Sequence, residues 1–185
     1  MEEEQGKSIY GEALKYGVIL GIVSIIMTLL VYIIDAGMLV DWKFALLSWV
    51  IILSVAVYFG KKYRNEEQGG FLPFGQSYIM SIIMLFINSL VAALFMILLY
   101  TVIDPEVTEV ILEQTIENTE SMLRSIGADD EAIDAAIERS ETQMEESFTA
   151  IGIISNSWVY MLIASIFGLI TGAIIKKNKP DFDYS

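Results

Sequence analysis

Ten carboxylates fall at helical intervals along the middle of this chain: Glu106, Glu109, Glu113, Glu117 and Glu120, then Glu131, Asp134, Glu138, Glu141 and Glu145. Residues three and four apart share a helix face, so each set stacks its charges along one side of a helix. The chemistry open to such a surface is electrostatic: docking of a basic partner, or diffuse binding of divalent cations. A dedicated calcium loop is not expected, because the Asp-x-Asp/Asn spacing and the central glycine are missing. Asp129 and Asp130 are adjacent acids, but a solvated stripe offers no environment that fits them for acid/base catalysis. The chain contains no His and no Cys. Histidine bases, Ser-His-Asp triads, thiolate nucleophiles, zinc centres and disulfides are therefore absent. No Walker or dinucleotide glycine pattern is present either. We expect no enzyme, no catalytic residue, no metal site and no cofactor.

These acids lie in an insert at residues 104–150. It holds fourteen of the 24 acidic residues against Arg124 and Arg139, so nearly all of the formal net charge of −13 is local to it. The cations elsewhere are few and scattered, which excludes a nucleic-acid partner. Asp104-Pro105 reads as a helix start, with Asp accepting from free N–H groups and Pro at the first helical position. Gly127 reads as a helix end, and Asp129 or Asp130 as the cap of a second helix, so residues 105–126 and about 130–150 form a helical hairpin. Ile111, Leu112, Ile116, Met122, Leu123 and Ile126 make one apolar face, and Ile133, Ile137, Met144 and Phe148 the other. Glu120 is placed to reach Arg124 at i,i+4. The second helix is expected to run straight on into the apolar segment that follows.

The elements that hold this insert are apolar. Of the 185 residues 55% are hydrophobic and mean hydropathy is +0.57, above the range of soluble globular chains. Four segments carry no charge: 17–34, 44–60, 77–103 and 151–175. Each suits a helical crossing of a hydrocarbon core about 30 Å thick, and none alternates as a barrel strand must. The acid-bearing start of the chain and the lack of a small-x-small site after Ile34 favour retention of the first segment over cleavage as a signal peptide. The expected fold is all-α, a single polytopic domain over residues 1–185 with four transmembrane helices. Lys7, Lys15, Lys61, Lys62, Arg64, Lys176, Lys177 and Lys179 fall on one side, and Lys43, Arg124 and Arg139 on the other, which places both termini in the cytoplasm and the insert outside. Tyr16, Tyr58, Tyr63, Phe74 and Tyr78 are expected in the inner headgroup belt, and Tyr32, Trp42, Tyr100 and Trp158 in the outer one.

No ionisable group lies inside a span, which weakens a proton-coupled carrier. Asn88, and near the outer end of the fourth span Asn156, suit hydrogen bonds between helices. Gly17 and Gly21 in the first span and Gly168 and Gly172 in the fourth are small-xxx-small pairs, expected to bring those two helices together. The connection "KKYRNEEQGGFLPFGQSY" joins a basic cluster to a flexible Gly69-Gly70 pair and an aromatic stretch. Its cations read as an ordinary topology anchor, suited also to anionic headgroups.

Three stretches, "YGEALKYGVILGIVSIIMTLLVYIID", "GGFLPFGQSY" and "GLITGAIIKKNKP", resemble the bacterial multi-pass membrane proteins of domain-of-unknown-function family 4199, found largely in Bacteroidetes. The resemblance implies a four-helix protein of the cell (inner) membrane and supplies no activity or ligand. The residues point first to a non-enzymatic anchor or interaction protein presenting its acidic hairpin to a partner. A small channel or transporter subunit acting as a homo-oligomer, lined by Asn88, Asn156 and small residues, is the alternative.

Overall fold

The computed structural model describes residues 8–155 and 157–180, with the side chains of Glu145, Glu146, Ala150, Ile154, Ser157, Trp158 and Tyr160 left aside. The described chain is all-α: α1 (Ile9–Ile34), a 3₁₀ turn (Ala36–Val40), α2 (Trp42–Glu66), α3 (Phe74–Leu98) with a π-helical turn (Leu99–Ile103), α4 (Val107–Ser125), α5 (Asp130–Ser147), α6 (Ala150–Ser155) and α7 (Ser157–Ile175). Three helices are long and apolar enough to cross a membrane: Ile9–Ile34, Trp42–Glu66 and Phe74–Ile103. At 1.5 Å per residue the 26 residues of α1 reach about 39 Å. A shorter apolar helix occupies Met161–Ile175. The long helices leave stripes of large side chains uncovered, among them Ile22, Ile26, Leu30 and Ile33 on α1 and Leu90, Leu94 and Leu98 on α3. Apolar surface on this scale finds its solvent in lipid. The protein is membrane-embedded.

Contacts divide the chain into two compact units. One gathers the residues up to Ser24, Trp49–Ala92 and those from Trp158 onward; the other gathers Ile25–Ser48 and Ala93–Ser157.

The core of the first unit joins Ala13, Tyr16 and Leu20 of α1 to Ala56 and Tyr63 of α2, Met80 and Met84 of α3, and Ala164 and Ile175 of α7. Tyr16 stacks on Phe59, and Trp49 on Phe167, each with ring centroids 4.5 Å apart. Tyr16 and Tyr63, expected in a headgroup belt, are buried at 5% and 1% exposure. The Tyr63 hydroxyl is met by the Gln68 amide at 2.8 Å, so the ring is buried without stranding its polar end. Tyr58 and Trp42 are exposed, and the Trp158 side chain lies outside the described residues.

The connection between α2 and α3 is an ordered junction, in contrast to the flexible loop its glycines suggested. Gly69 and Gly70 take φ of 59° and 86°, values glycine adopts without a Cβ clash, and Gly70 N–H donates to the Arg64 carbonyl. This turn delivers Leu72, fully buried, to the C-terminal segment. Leu72 and Lys177 exchange backbone hydrogen bonds of 2.9 and 2.8 Å in an antiparallel bridge. Arg64 Nη1 donates to the Ile175 carbonyl at 2.7 Å, capping the end of α7 from another helix.

In the second unit Leu99, Val107 and Ile111 form a small core, against which Tyr32, Leu39, Val40, Phe95, Met144 and Phe148 pack. The turn between α4 and α5 follows local rules. Gly127 N–H donates to Arg124 and Ala128 N–H to Leu123, with Gly127 at φ 80°, the Schellman geometry that satisfies terminal carbonyls. Asp129 Oδ1 then accepts from Ala132 N–H at 2.8 Å and caps α5.

Candidate functional site

The carboxylates expected to form a surface sit on α4 and α5, two helices in mutual contact. Glu106, Glu109, Glu113 and Glu117 are exposed and Glu120 is half-buried; Glu131, Asp134, Glu138 and Glu141 are exposed, while the Glu145 side chain lies outside the described residues. Arg124 joins the two helices, donating to Glu120 at 2.9 Å and to Asp130 at 3.3 Å. Both carboxylates, Glu120 first through its hydrogen bond, hold the Arg124 guanidinium above its ordinary value. The pairs are exposed, so their contribution to stability is small. Among the described residues no three acids converge on a point that would hold a metal ion.

The apolar faces beneath these acids differ in part from the periodic reading. Ile111 and Ile133 are buried, and Leu112, Ile116, Leu123 and Ile137 are half-buried. Met122 and Ile126 remain 60% and 72% exposed, because α4 ends at Ser125 and the chain turns away at Gly127. Asp104 does not cap α4 with its side chain. Its Oδ2 accepts from the Tyr32 hydroxyl at 2.7 Å, and α4 begins two residues beyond Pro105 without a side-chain cap. The acid thereby ties the start of the α4 segment to α1. The 3₁₀ turn Ala36–Val40 also lies against α4, with Gly37 close to the Gln114 side chain. Replacing Tyr32 by Phe removes this hydrogen bond and is expected to loosen the start of the α4 segment. The check is hydrogen exchange at residues 104–112, which should quicken while α5 beyond Ile133 does not.

The expected rigid rod from α5 into the last apolar segment is interrupted. Helix α5 stops at Ser147, and Thr149 restarts the chain by accepting from Gly152 N–H at 2.9 Å through its hydroxyl. A hydroxyl that satisfies a new helix N-terminus competes with continuation of the old helix, which is why Thr and Ser favour such breaks. Beside this break lies a cavity of about 740 Å³ lined by Thr115, Ser140, Gln143, Ser147, Thr149 and Ser155, among others. Among the described residues its lining offers neutral hydrogen-bonding groups and no charge or base.

Inside the apolar helices, Asn88 Oδ1 accepts from the Ser24 hydroxyl at 2.8 Å and links α1 to α3. Asn156 lies outside the described residues. The glycine pairs face a different partner from the one expected. A Cβ on Gly17 would stand 2.6 Å from Ile87 Cβ, and one on Gly21 2.5 Å from Val91 Cβ, both on α3. A Cβ on Gly168 would meet Ile82 and Tyr78, and one on Gly172 would stand 2.9 Å from Tyr78 Cα, again on α3. Both pairs admit α3 rather than each other, because small residues permit close approach without specifying what approaches.

The family model for proteins of unknown function, DUF4199, matches residues 15–177. The chain belongs to DUF4199. The match takes in all three long apolar helices but for the first residues of α1, the α2–α3 junction as far as its bridge to Lys177, and the acidic helices. No curated protein and no solved structure matches this DUF4199 member.

Proposed function

We propose that this DUF4199 protein is a non-enzymatic membrane anchor that presents α4 and α5 to a basic partner outside the cytoplasm. In this reading residues 150–175 complete a fourth crossing, the termini face the cytoplasm, and the membrane is the inner membrane of a bacterium. The observation that carries it is the arrangement of the second unit. Solvated carboxylates cover two helices whose apolar faces, and whose tie from Asp104 to Tyr32, fasten them to membrane-competent segments. Charge displayed on a fastened element serves recognition and association rate more than stability. A channel lined by Asn88 is less favoured, since the Asn88 oxygen is engaged by Ser24 in helix packing.

The absence of native cysteine makes the test direct. Single cysteines at Glu117 and at Lys179 are expected to label from opposite faces of sealed cells with an impermeant thiol reagent. Photo-crosslinkers at Glu113 and Glu138 should capture one protein repeatedly, and reversal of the acids to lysine should abolish that capture. Labelling of both cysteines from the same face, or capture indifferent to charge reversal, would remove the reading.

A further inference from the structure

We propose that the α2–α3 junction and the C-terminal segment together form a binding surface for anionic phospholipid headgroups. Two basic stretches more than a hundred positions apart, Lys61-Lys62 and Lys176-Lys177 with Lys179, are joined into one surface by the Leu72–Lys177 bridge and by Arg64 on the Ile175 carbonyl. Ile175 packs against Gly60, immediately before Lys61, so the ends of α2 and α7 meet there. Within the described parts of these stretches, residues 60–74 and 175–180, six cations stand with only Glu66 and Glu67, in a chain whose net charge is −13.

The lysines sit over aromatic faces. Lys176 Nζ lies 5.8 Å from the Phe74 ring centroid and Lys177 Nζ lies 5.4 Å from that of Phe71. Lys176, Lys177 and Lys179 are exposed. Arg64, by contrast, is committed to the backbone and serves to position the segment.

The surface lies where α2 ends, α3 begins and α7 ends, at a terminus of membrane-competent helices, which is headgroup level for an embedded chain. Ammonium groups held beside rings that themselves favour the interface match a phosphate on a lipid, whose acyl chains continue along the exposed apolar flanks. A soluble phosphate lacks that second part of the fit.

The experiment uses the full chain purified from bilayers containing equal phosphatidylglycerol and phosphatidylcholine, with retained lipids counted by native mass spectrometry. The wild type should retain phosphatidylglycerol preferentially, and each lysine removed in K176Q, K177Q and K179Q should lower that preference about fivefold. The corresponding Lys→Arg variants should keep it, and R124Q/R139Q should leave it unchanged. If a tail variant fails to fold, K61Q/K62Q reads the same surface from the other stretch. Equal retention of both lipids by the wild type, or a preference unaltered in folded variants, overturns the proposal. Displacement of the lipid by millimolar inorganic phosphate overturns it too, because the surface would then be a site for a soluble anion.

Discussion

Gly172→Ala is expected to destabilise the protein in mild detergent by about 1–3 kcal/mol, the range for overpacking, against a helix-propensity gain of at most about 1 kcal/mol. The added methyl would stand 2.9 Å from Tyr78 Cα and 3.0 Å from Tyr78 N. Those are backbone atoms of α3, so no rotamer change relieves the contact and α7 must move off. Gly172→Leu should prevent assembly of the first unit. The same substitution elsewhere has a different sign. Gly11 has nothing within 4 Å of its added methyl, so Gly11→Ala should leave stability unchanged or raise it. At Gly60 the added methyl would meet Cδ1 and Cγ1 of Ile175, the latter at 2.7 Å, so a fully buried side chain must shift, and Gly60→Ala should destabilise but by less than the backbone clash at Gly172. Thermal unfolding followed by helical circular dichroism or by a gel-filtration survival assay separates the three. Equal effects at Gly172 and Gly11 would show that α7 does not pack on α3 as described.

The second large effect belongs to Arg64. Arg64→Met keeps much of the side-chain length and removes the 2.7 Å hydrogen bond to the Ile175 carbonyl. A hydrogen bond from a charged donor contributes about 1.5–3 kcal/mol, and Ile175 is fully buried, so water does not readily replace the lost donor. The end of α7 and the Leu72–Lys177 bridge should loosen together, since both hold the same few residues. Limited tryptic proteolysis after Lys176 and Lys177 is the measurement, and cleavage should accelerate at least about tenfold if about 1.5 kcal/mol of local closure is lost. Arg64→Lys should behave like Arg64→Met, because an ammonium on a shorter, unforked side chain does not reproduce the guanidinium reach. Unchanged cleavage in both variants would make the backbone bridge, not Arg64, the element that holds the segment.

Much of this protein was legible without coordinates wherever the deciding forces act within a few residues of one another. The charge-free runs announce the long helices because an apolar side chain in every turn leaves no other solvent for them. Gly127 ends α4 and Asp129 caps α5 as their types require, and Arg124 reaches Glu120 across one turn. What spacing could not contain is the identity of the neighbour. Gly17, Gly21, Gly168 and Gly172 mark faces with room for another backbone, and only the packed chain assigns that room to α3. Tyr16 and Tyr63 have the amphipathic chemistry of a headgroup belt, and only the packed chain shows their rings buried in protein, Tyr63 with its hydroxyl met by Gln68. Asp104 is a plausible cap by its position before Pro105, but Tyr32, 72 residues earlier, competes for the same oxygen. The junction of Leu72 with Lys177 is the furthest from prediction. Its hydrogen bonds run from backbone to backbone, so no side chain in either stretch announces that they pair. Local propensity and solvent preference are written residue by residue, whereas the choice among chemically equivalent partners is made by the geometry of the whole assembly.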